Sequence, residues 1–318
     1  MDPAQPAVPQ FEVRLAKPDL SAWRAGNTGV PGFTSVEGPR PGPHVAIIAL
    51  THGNEFAGAI VLDRMLRAGL RPACGRLTLG FANLAAFARF DPAQPTASRF
   101  IDEDLNRVWD WAVLDGTRRS AELNRAREMR PLVDRVDALL DLHSMLWPSD
   151  PLILSGPAAK GRGLAAAIGS PSLVVADHGH VSGARLIDYA PFTDPSRPAR
   201  ACLVEAGQHW EAPTVDVVEA CVAGLLRHVG MVADEALTPA PRPAPPRCAE
   251  VTVAVTAATG AFAFLQSFRG GDVIPRRDTL IALDGSTEIR TPHDDCLLVM
   301  PSLRPSRGHT AVRLARFI

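Results

Sequence analysis

Residues 44–50 read HVAIIAL, and residues 51–55 read THGNE. The aliphatic run from Val45 to Leu50 shows no polar alternation, the mark of a strand buried on both faces. Beyond the turn-like THGN, the segment Glu55–Leu70 places apolar residues at Phe56, Ala59, Ile60, Leu62, Leu66 and Leu70. Spacings of three and four recur there, which predicts an amphipathic helix ending near Gly69. A buried strand, a polar turn and a helix form the repeating unit of an α/β domain.

The unit recurs downstream. RLTLGFAN (76–83), ALLDLHS (138–144), 152–154, 173–176 and ACLVEAG (201–207) read as strands, and 118–136, 158–168 and 215–229 as helices. Strands alternating with helices predict a mostly parallel or mixed sheet flanked by helices. Upstream, residues 1–43 are rich in Pro and Gly, with one alternating stretch, Phe11 to Leu15, read as an edge strand followed by a covering loop. TPAPRPAPPR (238–247) holds five prolines and reads as a stiff connector. After it, EVTVAVTAA, VIP, TLIAL and DCLLVM are short strand-like pieces separated by turn signals. The expected organisation is a catalytic α/β domain over 1–237, a linker over 238–247 and a small β-rich domain over 248–318.

Composition narrows the function classes. The 318 residues carry 33 Lys and Arg against 34 Asp and Glu, which excludes bulk electrostatic binding to nucleic acid or a membrane surface. A hydrophobic share of 46% excludes wholesale disorder. No apolar run approaches the roughly 20 residues that span a bilayer. The opening MDPAQPAVPQFEVRLAKPDL has neither a basic n-region nor an apolar h-region, so no secretory signal is expected. Five scattered cysteines without a C-x-x-C pair fit reduced thiols, and a cytoplasmic location is expected. G-x-G-x-x-G after a strand, G-x-x-x-x-G-K-[ST] and G-x-S-x-G are absent, which disfavours dinucleotide, nucleotide-phosphate and serine-esterase readings. A small-molecule enzyme remains.

Four polar clusters stand out, three of them just past buried strands, where open α/β sheets bind ligands. His52 and Glu55 sit three residues apart at the mouth of a helix, and Asp141 and His143 share a strand face. An imidazole and a carboxylate are both good zinc ligands, and His52, Glu55 and His143 together would leave one coordination position open. A satisfied buried His–Asp pair is the commoner case for D-x-H taken alone. Glu205, ending its strand, is a candidate general base or a structural carboxylate. The loop RFIDEDLNRVWD (99–110) carries Arg99, Asn106 and Arg107, which suit a carboxylate or tie a surface loop to its acids. His178, His180 and His293 read as turn residues, and His209 and Trp210 as a pocket wall or packing.

Taken in order, HGNE (52–55), RFIDEDLNR (99–107), DLH (141–143) and VEAG (204–207) resemble the succinylglutamate desuccinylase/aspartoacylase family. This family is a branch of the zinc carboxypeptidase-like fold, and the resemblance implies that mixed sheet followed by a small β domain. It implies one Zn²⁺ per chain on His52, Glu55 and His143, Glu205 as general base, and Arg99 polarising the scissile carbonyl. It further implies that Asn106 and Arg107 grip a substrate carboxylate, with Arg197 or Arg200 as a looser match to a further arginine. The implied activity is a zinc-dependent amidohydrolase that removes an acyl group from an N-acyl amino acid or similar small carboxylated amide by zinc-hydroxide attack. A metallocarboxypeptidase-type peptidase and a non-catalytic small-molecule binding protein are the alternatives; oligomeric state is left open. One departure is that Tyr189 is the sole tyrosine, so aspartoacylase's C-terminal-domain tyrosine has no counterpart in 248–318. N-acetylaspartate itself is thereby placed in doubt.

Overall fold

The computed structural model describes residues 11–232 and 245–318. Its strands are β1 (Phe33–Glu37), β2 (His44–Ala49), β3 (Arg76–Phe81), β4 (Ala138–Met145), β5 (Leu152–Leu154), β6 (Leu173–Ala176) and β7 (Arg200–Gln208). After them come β8 (Arg247–Thr256), β9 (Phe262–Phe264), β10 (Val273–Ile274), β11 (Leu280–Asp284), β12 (Thr287–Arg290), β13 (Cys296–Val299) and β14 (Thr310–Phe317). One eleven-stranded mixed sheet runs β1-β3-β2-β4-β7-β5-β6-β8-β14-β13-β10, and β12-β11-β9 form a second, antiparallel sheet. The expected α/β architecture with a mixed sheet is therefore present.

The apolar runs explain the layering. Val45, Ile47 and Ala49 of β2 face one core while Ala46 and Ile48 face the other, so both sides of the strand are dry. The first core is closed by α1 (Ala57–Arg67), α5 (Ala159–Ile168) and α7 (Ala212–His228). The second is closed by α3 (Trp111–Asp115), α4 (Ala121–Val133) and α6 (Ala190–Thr193), while a short α2 (Leu84–Ala88) follows β3. Gly58 lets α1 approach β4, since a Cβ there would lie 2.8 Å from the Leu142 Cβ. Among the described residues, no helix is long and apolar enough to cross a membrane.

Several details depart from the expectations. Phe11, Val13 and Leu15 alternate toward the first core but form no strand; the strand among residues 11–43 is β1, paired antiparallel to β3. The burial period was therefore legible, while the hydrogen-bond partner was not. Most of the Pro-rich stretch 238–247 lies outside the described residues; its end, Arg247, already opens β8. Parallel pairing of β8 with β6 carries the main sheet into the C-terminal region, whose third core includes Val255, Phe262, Ile281, Leu298 and Val312. The strand β14 runs antiparallel to β8 with register shifts between Thr310 and Val312 and between Leu314 and Ala315.

Candidate active site

The chain leaves β2 through Leu50, whose positive φ of 60° turns it sharply. Thr51, His52, Asn54 and Glu55 are all buried behind it. Glu55 precedes α1, whose N-cap is Phe56, so it stands in the turn and does not open the helix. Gly53 is required where it stands. A Cβ there would meet the Phe87 nitrogen at 2.4 Å and the Ser98 carbonyl oxygen at 2.5 Å. Its own N–H donates to the Arg99 carbonyl at 3.0 Å, which ties the 99–107 loop to the end of β2.

His52, Glu55 and His143 converge, with one candidate ligand atom from each lying within 4.8 Å of the others. His52 Nδ1 is 2.8 Å from Glu55 Oε1, and His143 Nδ1 is 3.0 Å from Glu55 Oε2. The outer nitrogens meet carboxylates: His52 Nε2 lies 2.8 Å from Asp104 Oδ1, and His143 Nε2 lies 2.8 Å from Asp141 Oδ2. Asp141 is fixed in turn by the Thr51 hydroxyl, which donates to Oδ1 at 2.8 Å. Were a metal held by the two Nδ1 atoms, the imidazole protons would sit on both Nε2 atoms, each facing a carboxylate that only accepts. In that tautomer both Nδ1 lone pairs and the Glu55 carboxylate face one point.

Such a convergence of buried acceptors is costly unless a cation or proton lies among them. His52 Nδ1, His143 Nε2 and Asp141 Oδ2 find no aligned hydrogen-bond partner, despite their short contacts. Burial opposes charge on His143, but the carboxylates of Asp141 and Glu55 outweigh it and hold the imidazole well above its usual range. Burial likewise opposes charge on Glu55, yet His52 and His143 hold that carboxyl well below its usual range. The set therefore attracts positive charge. Two imidazoles and a carboxylate suit zinc, and three protein ligands leave it an open position.

The loop bearing Arg99 is built around the same point. Arg99 Nη1 donates to Glu55 Oε1 at 2.8 Å, and Nη2 lies 3.0 Å from His52 Nε2 and 3.4 Å from Asp104 Oδ2. Asp104 caps a turn at Leu105–Arg107, its Oδ1 accepting from the Asn106 N–H at 2.8 Å. Burial would raise that carboxyl, but His52, Arg99 and Arg107 hold it far below the usual range. The Asn106 side-chain oxygen accepts from the Leu186 N–H at 2.8 Å, while Arg107 donates to the Asn106 carbonyl at 2.6 Å and to the Ser182 hydroxyl at 3.2 Å.

Glu205 is the direct neighbour of His143 in the parallel pairing of β4 and β7. Its Oε2 is buried without a partner, and burial pushes the carboxyl up to about 8, against His143 and Arg99 and aided by Glu55. His209 sits behind the metal-capable set, with Nδ1 2.7 Å from the Ser144 hydroxyl, and burial takes it down to about 4. Trp210 donates to the Asn54 carbonyl at 3.0 Å and is buried in the first core, so it packs against the 51–55 turn.

Three expectations need correction. Arg200 opens β7 at the end opposite Glu205, its N–H on the Asp137 carbonyl, and Arg197 faces Asp194 at 3.9 Å with its side chain 54% exposed. Neither reaches the site. The turn that carries His178 and His180 is buried at its root, since Asp177 takes both arms of the Arg185 fork at 2.7 and 2.9 Å. His293 is also buried, 2.9 Å from the Thr252 hydroxyl. Sequence reasoning missed Asp104 as the partner of His52, because the 52-residue separation carries no local signal. It also missed Arg313, on a strand whose bulges break the alternation that would have revealed it.

Residues 41–175 match the succinylglutamate desuccinylase/aspartoacylase catalytic domain. The fold is similar to that of succinylglutamate desuccinylase from Vibrio cholerae, with TM-score 0.70 and 18% identity over 90% of this chain and 86% of that one. The Vibrio parahaemolyticus protein described by the same name gives TM-score 0.68 and 19% identity over 91% and 86%. The ectoine utilization protein EutE from Ruegeria pomeroyi, solved with product bound, gives TM-score 0.62 and 17% identity over 90% and 88%. Among curated proteins, none matches the sequence.

Proposed function

We propose that this chain, which belongs to the succinylglutamate desuccinylase/aspartoacylase family through the catalytic domain at residues 41–175, is a zinc-dependent amidohydrolase that removes the acyl group from an N-acyl amino acid. The observation that carries this reading is the convergence of His52, Glu55 and His143 beside the unpartnered carboxyl of Glu205. His52, Glu55 and His143 would hold the metal. When bound, zinc supplies Lewis acidity, which polarises an amide carbonyl and makes a nearby water more acidic.

The remaining work falls to side chains. Glu205, beside His143 with its Oε2 buried and unpartnered, is placed to exchange a proton with a water at the site. It takes the proton of the attacking water at its carboxylate and returns it to the leaving amine. Arg99, anchored on Glu55 and Asp104, keeps spare N–H donors for the carbonyl oxygen as negative charge develops there. Arg107 offers its fork to a substrate carboxylate. Asn106 fixes that arginine's loop through Leu186 and keeps its amide N–H groups for the same ligand. In this reading residues 1–237 form the catalytic unit and 248–318 a small β unit.

Glu205→Gln tests the assignment. Turnover should fall by about 10²–10⁴ or more while zinc content stays at the wild-type level. Zinc lost together with activity would make Glu205 a ligand, and retained activity would remove it from the chemistry.

A further inference from the structure

Arg313 of β14 is 8% exposed, and among the described residues its one ionic contact is Nε to Asp177 Oδ2 at 3.6 Å, beyond hydrogen-bond range. Both oxygens of Asp177 already receive the Arg185 fork. Among the described residues, no acceptor takes a hydrogen bond from the Arg313 guanidinium. A charge-bearing group with five donors, buried and left unused, is expensive unless something arrives to use it.

Its position joins it to the site. The register shift between Thr310 and Val312 moves the side-chain alternation of β14 by one residue, placing Thr310 and Arg313 on one face. That face lies on the 177–185 loop: the Thr310 hydroxyl is 3.2 Å from His180 Nε2, and His180 Nδ1 is 2.7 Å from the Ser182 hydroxyl. Ser182 accepts from Arg107, and Gly183 packs so closely that a Cβ would sit 2.1 Å from the Arg107 carbonyl oxygen. The local field is strongly positive. Burial together with Arg99, Arg185 and Arg313 draws Arg107 down to about 10 against the pull of Asp104. Burial with Arg107, Arg313 and Arg185 takes His180 down to about 3. Arg313 also stabilises the charged form of Glu205.

We propose that Arg313 is a specificity-determining residue that reaches in from the last strand and receives a carboxylate of the substrate. The inference rests on the deacylase reading for the word substrate, but its test does not. Succinate and succinamide, its neutral counterpart without a carboxylate, are titrated calorimetrically into zinc-loaded wild type, R313Q and R313K. Succinate should bind wild type about ten- to hundred-fold tighter than R313Q, with R313K between them. Succinamide should bind wild type and R313Q nearly alike. R313K keeps the charge opposite Asp177, so it supplies the comparison if R313Q does not fold. Equal succinate affinity in wild type and the folded variants, or no succinate binding to wild type, overturns the inference.

Hydrolysis of N-acetyl and N-succinyl amino acids is measured in parallel. A protein that binds succinate through Arg313 but hydrolyses none of them keeps this inference and loses the deacylase reading. One that hydrolyses them with unchanged KM in R313Q keeps that reading and loses the inference.

Discussion

Glu205 and His143 are direct register partners across the parallel pair β4–β7, which places a candidate base on the strand next to a candidate metal ligand. The pairing is set by backbone hydrogen bonds between two buried strands, so neither side chain drifts relative to the other. The apolar residues around them, Leu142 and Val204 among others, are 1% exposed or less. A rigid, dry ladder is a suitable support for chemistry that tolerates little misplacement.

That burial has a pH signature in the metal-free protein. The Glu205 carboxyl is pushed up to about 8, above an unfolded value of about 4.3. Between those values the unfolded chain releases a proton that the folded chain keeps, so this group's contribution to stability declines as pH rises and levels off above about 8. Glu205→Gln lacks the decline. Urea midpoints of the two metal-free proteins should diverge in favour of the variant from about pH 5 to pH 8; a constant difference would contradict the shift.

Asp104 acts through His52. Asp104→Asn should weaken zinc binding by about 10- to 100-fold, read by competition with a chelating dye. Asp102→Asn, which alters only a carboxylate that accepts from the Ala121 N–H at 2.7 Å, should leave zinc affinity alone. Equal effects of the two substitutions would remove Asp104 from the metal's support.

Gly53 carries a backbone requirement. Gly53→Ala forces a Cβ within 2.4 Å of the Phe87 nitrogen, so the segment around Phe87 or the 99–107 loop must move. We expect a loss of at least about 2 kcal/mol in chemical denaturation, together with weaker zinc binding. A variant as stable as wild type would show that the close approach is not tight in solution.

Zinc should raise the melting temperature of wild type, because a ligand that binds only the folded state stabilises it by mass action. His52→Ala and His143→Ala should each lose most of that increase and most of the bound metal. Full zinc occupancy in either would break the ligand set.

Much of this was legible in the chain, because buried strands write themselves as apolar runs. HVAIIAL, ALLDLHS and ACLVEAG announced β2, β4 and β7, and the polar residues ending them pointed to the candidate site. What escaped notice depended on distant partners. Asp104 looks like any loop acid until the fold sets it 2.8 Å from His52. The strand β14 hides its pattern behind two bulges, and with it Arg313. Tyr189, the sole tyrosine, donates to Asp134 at 2.7 Å and accepts from Arg130 at 3.0 Å, a packing role.

The measurement that tests the central claim most directly is amine release from N-acetyl, N-succinyl and N-formyl amino acids, with and without a zinc chelator. The account predicts hydrolysis of at least one of these, lost with chelator and restored by added zinc. Hydrolysis indifferent to the chelator, or silence across the panel from protein that demonstrably carries zinc, would contradict it.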